Sequence, residues 1–278
     1  MSGGSTVITV ESRMASSRLP GKNMKPVAGA PMLAQLLRRL KRSRLADVIC
    51  LATTRNLEDD ILEDLARQED VACYRGPVDD VLGRVLAAAE SVGADVIAEI
   101  TGDCPLSDPQ LIDQAITRFR RGDTDYVANM LDIVTYPVGF DVQVYSVDLL
   151  REIDATCQDP EIRVDVTPDI YHQGERYRLH NLNAPAPINR PRYRVCVDYA
   201  VDLDVIRAVY DVLMPRNEAF GIAEIIAFLD GRSDLTGHNI DVPDPFAGPT
   251  SDGKAAQEEA PMPANDPAPR RHPAEDAF

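Results

Sequence analysis

No stretch of this 278-residue chain approaches the roughly 20 apolar residues that a membrane-spanning helix requires, so no membrane partner is expected. Basic residues are also scarce. Lys and Arg number 29 against 45 Asp and Glu, a formal net charge of −16. A general nucleic-acid or anionic-membrane binder needs a broad basic surface, so neither class fits. The start, Met1-Ser2-Gly3-Gly4-Ser5, has no basic region, and the apolar run after it is too short for a signal peptide. A cytoplasmic location is expected. The cysteines (Cys50, Cys73, Cys104, Cys157 and Cys196) are odd in number and scattered without a CxxC pair, which reads as a reduced core. His172 and His180 lack metal-ligand spacing to each other or to a cysteine. What remains has the 44% hydrophobic and 27% charged composition of an ordinary soluble protein, long enough for one large domain or two.

The hydrophobic pattern alternates between two periods. Short, largely apolar runs at Val7–Val10, Asp47–Ala52, Val71–Tyr74 and Val96–Ile100 read as buried strands. Between them, helical spacing recurs: Met32, Leu33, Leu36, Leu37 and Leu40; a second helix from Glu58 to Gln68; then Val81, Leu82, Val85, Leu86 and Ala89 with Asp79 as cap. This β-α-β-α-β-α-β order predicts an α/β fold with a doubly wound, mostly parallel, Rossmann-like sheet. Another helix opens at Pro109. The rhythm then changes over residues 126–192, where short strands at Tyr126–Ala128, Asp141–Tyr145 and Tyr177–Leu182 and helices near Ser146–Ile153 and Thr167–Gln173 suggest an inserted α+β lobe. Tyr193–Asp198 reads as one more strand, followed by a helix through Leu203, Ile206, Val209, Tyr210 and Leu213, and a short helix over Gly221–Phe228. The expected domain is 6–242. Residues 243–278, rich in Pro and Ala and poor in large apolar side chains, are expected to be a disordered tail.

Against the acidic background, the loop after the first strand concentrates cations: Arg13, Arg18, Lys22 and Lys25, with Glu11 as the single nearby acid. Strand, cationic loop and helix is how a parallel α/β sheet holds a phosphate-bearing ligand at its carboxyl edge. Gly21-Lys22 is not the end of a P-loop, because the pattern needs Gly where Ser16 stands and Ser or Thr where Asn23 stands. The loop still suits a nucleoside triphosphate: Arg13 and Arg18 offer planar forks of donors and Lys22 a point charge. Two acids, Asp103 and Asp198, follow strand-like runs and point to the same crevice. Asp198 also has the alternative of capping the next helix, and Arg84 that of a surface pair with Asp80 four residues earlier.

Arg13-Met14-Ala15-Ser16-Ser17-Arg18-Leu19-Pro20-Gly21-Lys22 and Ile100-Thr101-Gly102-Asp103-Cys104-Pro105-Leu106 resemble the signatures of the cytidylyltransferases that activate acidic sugars. Asp79–Arg84, Tyr136–Val144 and Arg194–Asp198 with Asp202-Leu203 extend the likeness over roughly Val7 to Leu213. It is greatest to the branch of spore coat polysaccharide biosynthesis protein F, with a relation to CMP-KDO synthetase. The resemblance implies that Glu11, Ser12, Arg13, Arg18, Gly21, Lys22, Arg84 and Gly102 contact the nucleotide, with Arg13, Lys22 and Asp103 catalytic. It implies Mg²⁺ on Asp103 and Asp198, an acceptor pocket lined by Asp141 and Gln143, and a homodimer. CTP and a small anionic acceptor are the implied partners. Two departures stand out: Glu11-Ser12 replaces the usual Gln-Ala or Pro-Ala, and Asp165 replaces the histidine of an Arg-Glu-His-Val-Thr-Pro block.

The expected activity is transfer of CMP from CTP to the acceptor with release of pyrophosphate. The alternatives are a sugar-1-phosphate nucleotidyltransferase using another NTP, and a nucleotide-binding protein without turnover.

Overall fold

Each of the first four apolar runs becomes a strand of one sheet in the computed structural model, which describes residues 4–237 except Asp132 and Gly174, together with Asn239. The tail expected over 243–278 lies outside the described residues. Strand β1 (Thr6–Glu11) leads through the cationic loop to a small antiparallel pair, β2 (Pro26–Val27) and β3 (Ala30–Pro31), and then to α1 (Met32–Leu40). The units β4 (Val48–Thr54)–α2 (Asp60–Gln68), β5 (Ala72–Gly76)–α3 (Val81–Ser91) and β6 (Val96–Thr101)–α4 (Pro109–Phe119) follow. Three further strands, β7 (Tyr126–Ala128), β8 (Gln143–Ser146) and β9 (Leu179–Asn181), complete a seven-stranded sheet of order β5-β4-β1-β6-β8-β7-β9. Only β8 runs against its neighbours β6 and β7. The fold is therefore α/β with a mostly parallel sheet, as the alternation predicted, and residues 126–192 add their strands to that same sheet.

Period-2 alternation splits the strands between two cores. Ile8, Val10, Leu51, Ala98 and Ile100 pack with α1, α4 and the later helix α8 (Ala200–Leu213). Val7, Cys50, Ala52, Ile97, Tyr126 and Tyr145 face the other way, onto α3 and α5 (Val147–Thr156). Leu33, Leu36 and Leu37 are fully buried, so truncating any of them to Ala should cost about 2–5 kcal/mol. The remaining helices are α6 (Pro160–Arg163), α7 (Pro168–Tyr171), α8 (Ala200–Leu213), α9 (Ile222–Asp230) and α10 (Ser233–Thr236).

Three local expectations are corrected. Asp80, not Asp79, caps α3, accepting from the Gly83 amide at 3.0 Å. The helix expected over Thr167–Gln173 is a single turn, α7, with α6 before it; Pro160 and Pro168 each open one of these turns and cannot continue a preceding helix. Residues 193–198 do not form a strand. Their backbone crosses the ends of other elements: the Val195 amide donates to Val138 O (2.7 Å) and the Val197 amide to Asp103 O (2.8 Å). Two different partners within three residues leave only an isolated bridge, Val138 to Arg194.

Candidate active site

The cationic loop is pinned by buried polar side chains. Asp59, fully buried, accepts from the Met14 amide at 2.6 Å and from the Thr54 hydroxyl, and Asn23 Nδ2 donates to Arg13 O at 2.8 Å. Gly21 adopts φ +66°, a left-handed turn that an L side chain would strain, and this turn brings Lys22 back toward the sheet. Gly102 meets a different demand. Its amide donates to Glu11 O at 2.8 Å, and a Cβ there would lie 2.7 Å from that oxygen and 2.9 Å from Ser12 Cβ. The loops after β1 and β6 can approach this closely only because residue 102 has no side chain.

That approach assembles the two predicted acids. Lys22 Nζ stands between them, 3.0 Å from Asp103 Oδ2 and 3.1 Å from Asp198 Oδ1, and donates to Val197 O at 2.6 Å. Arg18 Nη2 reaches Asp198 Oδ1 at 2.6 Å, with its guanidinium 5.6 Å from the Tyr199 ring centroid. Arg194, almost fully buried, holds the other Asp198 oxygen at 2.6 Å and Asp202 at 3.3 Å. Asp202, in the first turn of α8, in turn accepts from the Asp198 and Tyr199 amides at 2.9 and 2.8 Å. Asp198 is thus oriented by Asp202 and does not itself cap α8.

Burial alone would lower the Lys22 ammonium, but Asp103 and Asp198 outweigh it and hold the lysine above its ordinary range. Burial alone would raise Asp198; Lys22, Arg18 and Arg194 instead hold it below the usual carboxylate range. Its side chain is 8% exposed, that of Asp103 30%. Asp103 is the open member of the pair. Among the described residues no group of three or more His, Cys, Asp or Glu side chains is placed to hold a metal ion. A cation at the Lys22 position would meet two carboxylates and take its remaining ligands from elsewhere. That donor set fits Mg²⁺, which binds through one or two carboxylates and substrate phosphates while retaining water.

Arg13 is not part of this cluster. Its side chain is exposed, and its charge is felt by Arg84 on α3. Nor is Arg84 the surface partner of Asp80. It is 3% exposed, donates from Nη1 to Pro77 O at 2.6 Å, and faces Glu11 across the end of β1, while Asp80 pairs with Arg163 at 2.8 Å. Burial lowers Arg84 and raises Glu11 well above the ordinary carboxylate range; Glu99 on β6 raises Glu11 further and Arg84 partly relieves it. Thr9 eases Glu11 slightly, yet Glu11 Oε1, Ser12 Oγ and Arg84 Nε are buried without a hydrogen-bond partner among the described residues. Each such orphan costs about 1–3 kcal/mol unless something bound satisfies it.

Asp141 and Gln143 do not alternate along one strand. Asp141 lies in the turn before β8, where Gly139 N donates to its Oδ2 at 3.3 Å, and its charge reaches Cys104 and Cys196 beside the two site acids. Gln143 opens β8, is 8% exposed, and its side-chain oxygen accepts from the Tyr126 and Thr167 hydroxyls. Sequence reasoning assigned no role to Arg194, Asp202, Asp59 or Glu99. The Arg194–Asp198–Asp202 spacing of four and four was a usable signal for the first two. Nothing local marked Asp59, whose partner amide is 45 residues away.

With this geometry in place, comparison with known proteins gives a consistent result. Residues 7–140 match the family described as Cytidylyltransferase. The chain is 30% identical over 230 residues to the spore coat polysaccharide biosynthesis protein SpsF of Bacillus subtilis (strain 168), covering 81% of this chain and 94% of that protein. A cytidylyltransferase from Leptospira borgpetersenii serovar Hardjo-bovis superposes with a TM-score of 0.77 at 25% identity, covering 84% and 95% of the two chains. The fold is also that of a CMP:2-keto-3-deoxy-manno-octonic acid synthetase solved with CTP, at a TM-score of 0.57 and 17% identity, covering 76% and 99%.

Proposed function

The chain belongs to the cytidylyltransferase family, and on that premise we propose that it is a Mg²⁺-dependent cytoplasmic enzyme transferring CMP from CTP to an acidic sugar or similar small acceptor. The observation that carries this reading is the convergence of Asp103 and Asp198 on the single ammonium of Lys22, with Arg18 beside it. Without ligand the charges balance: Arg18, Lys22 and Arg194 against Asp103, Asp198 and Asp202. A triphosphate adds about four negative charges, and phosphate oxygens compete for Arg18 and Lys22 through charge-assisted hydrogen bonds. Drawing those two side chains onto the phosphates frees the outer oxygens of Asp103 and Asp198. These carboxylates would hold Mg²⁺, which supplies neutralisation of charge on the phosphate oxygens.

The chain's own residues do the rest by positioning and charge. Arg18 and Lys22 stabilise the charge that develops as pyrophosphate leaves, while Arg194 and Asp202 keep Asp198 aimed at the reaction centre. Arg13 and Arg84 bracket the other side of the nucleotide near Glu11 and Ser12. The acceptor enters beyond β6, where Asp141 and Gln143 stand. In the overall step the acceptor oxygen bonds to the α-phosphorus, the bond to the pyrophosphate oxygen breaks, and the acceptor proton passes to solvent.

The test is pyrophosphate release from each of CTP, UTP, GTP and ATP with a panel of sugar acids. Release specific to CTP, requiring Mg²⁺ and reduced at least 100-fold in Asp103→Asn, is the expected outcome. A preference for another nucleotide would replace the cytosine assignment, and undiminished release in Asp103→Asn would refute the metal assignment.

A further inference from the structure

We propose, resting on the cytidylyltransferase reading, that Tyr199 is a positioning residue for Arg18: its ring holds the guanidinium beside the triphosphate and leaves the N–H groups to the phosphates. Four arginines lie over aromatic rings among the described residues. Arg176 meets the ring of its neighbour Tyr177, and Arg232 that of Phe228 in the helix just before it. Arg39 is buried on Phe220 and donates to Leu106 O and Ser107 O. Arg18 differs from all three. It stands on an exposed stretch of the cationic loop, and the ring 5.6 Å from its guanidinium carbon belongs to the residue that follows the site acid Asp198.

Two properties of this contact suit it to the reaction. The first is how the ring is anchored. The Tyr199 amide donates to Asp202 Oδ2 at 2.8 Å, and its carbonyl accepts from the Leu203 amide at 3.3 Å. Both backbone groups therefore fix the residue at the start of α8, independently of Arg18. The second is what the contact uses. Arg18 donates from Nη2 to Asp198 Oδ1 at 2.6 Å, and a triphosphate competes for that donor. Attraction to a ring face draws on the charge of the guanidinium and occupies none of its N–H donors.

When Arg18 leaves Asp198, the ring is therefore the contact it keeps. The Arg18 side chain is 37% exposed and has the rotamer freedom of a long chain, so without the ring its ordering would weigh fully on triphosphate binding. Lys22, 11% exposed and donating also to Val197 O, is confined without such help. Because the ring makes the contact, phenylalanine should replace tyrosine and an aliphatic side chain should not.

The experiment titrates CTP with Mg²⁺ into the full chain, Tyr199→Leu, Tyr199→Phe, Arg18→Ala and the Tyr199→Leu/Arg18→Ala double variant by calorimetry. Tyr199→Leu should bind about 3-fold or more weaker, the scale of one partly exposed cation–π contact, and Tyr199→Phe within about 2-fold of the parent. In the Arg18→Ala background, Tyr199→Leu should change affinity less than about 2-fold, whereas a ring that only supported α8 would weaken both backgrounds alike. CMP lacks the phosphates that Arg18 meets and should bind the parent and Tyr199→Leu equally. That comparison gives the same readout if Arg18→Ala binds CTP too weakly to titrate, and Tyr199→Gln replaces Tyr199→Leu if the latter fails to fold. A smaller loss in Tyr199→Leu, an equal loss in Tyr199→Phe, or a loss that persists without Arg18 or with CMP overturns the proposal. Failure of the parent to bind CTP would instead overturn the nucleotidyltransferase reading beneath it.

Discussion

At the carboxyl end of β1, Arg18, Lys22 and Arg194 meet Asp103, Asp198 and Asp202 in equal number, and each is within 3.3 Å of an opposite charge. On the α3 face nearby, Glu11 and Glu99 lie on adjacent strands, and Glu11 Oε1 and Arg84 Nε are buried without a hydrogen-bond partner among the described residues. The first region is self-neutralised and keeps its acids ionised. In the second, burial pushes the acids toward the neutral form. A ligand at the first region must draw side chains out of existing ion pairs, which a triphosphate is anionic enough to do; the buried polar atoms of the second are not yet engaged.

Breaking the balanced region should have the largest effects. Arg194→Met removes the cation that joins two buried carboxylates, and loss of one partner of a buried pair costs about 3–5 kcal/mol, read as a fall in the denaturant midpoint. Lys22→Ala should lower kcat for pyrophosphate release by about 100–1000-fold, the scale of losing one preorganised donor to developing charge. Gly102→Ala tests the close approach that joins the two regions. Its Cβ would sit 2.7 Å from Glu11 O, and overpacking of this kind costs about 1–3 kcal/mol, measurable by equilibrium unfolding.

The smallest effect sharpens the contrast through pH. Burial pushes Glu99 from its ordinary value of 4.5 up to about 8, so between those values the folded chain holds a proton that the unfolded chain has lost. The Glu99 contribution to stability therefore falls as pH rises from about 4.5 to about 8. Asp198 has the opposite sign. Its folded pKa is depressed, so its contribution is present above the unfolded value and lost as pH falls through the folded one. Melting curves of Glu99→Gln against the parent should show a flatter dependence across pH 5–8; an unchanged slope would mean that Glu99 is already ionised in the fold.

The parallel half of the sheet was legible because strand and helix periods are local properties of sequence, and the cationic loop was legible because its charge opposes the composition around it. Asp103 and Asp198 were recognisable as acids near chain turns. That they share one ammonium was not, because it depends on residues 81 and 176 positions from Lys22 meeting in space. Tyr193–Asp198 reads as a strand on apolar spacing, but its hydrogen bonds go to two separate segments. Arg84 and Asp80 have the spacing of a surface pair, and tertiary burial overrode it. Glu99 looked like one polar residue in an apolar run. Only the strand register places it between Thr9 and Gln143, on the same face as Glu11.

In the proposed reaction Lys22 moves from the two acids to the triphosphate, freeing them for the metal. Calorimetric titration of CTP into the parent chain and into Lys22→Ala, each with and without Mg²⁺, tests it most directly. Saturable, Mg²⁺-strengthened binding by the parent and at least 10-fold weaker binding by the variant is the expected result. Equal affinity in both proteins, or binding indifferent to Mg²⁺, would contradict it.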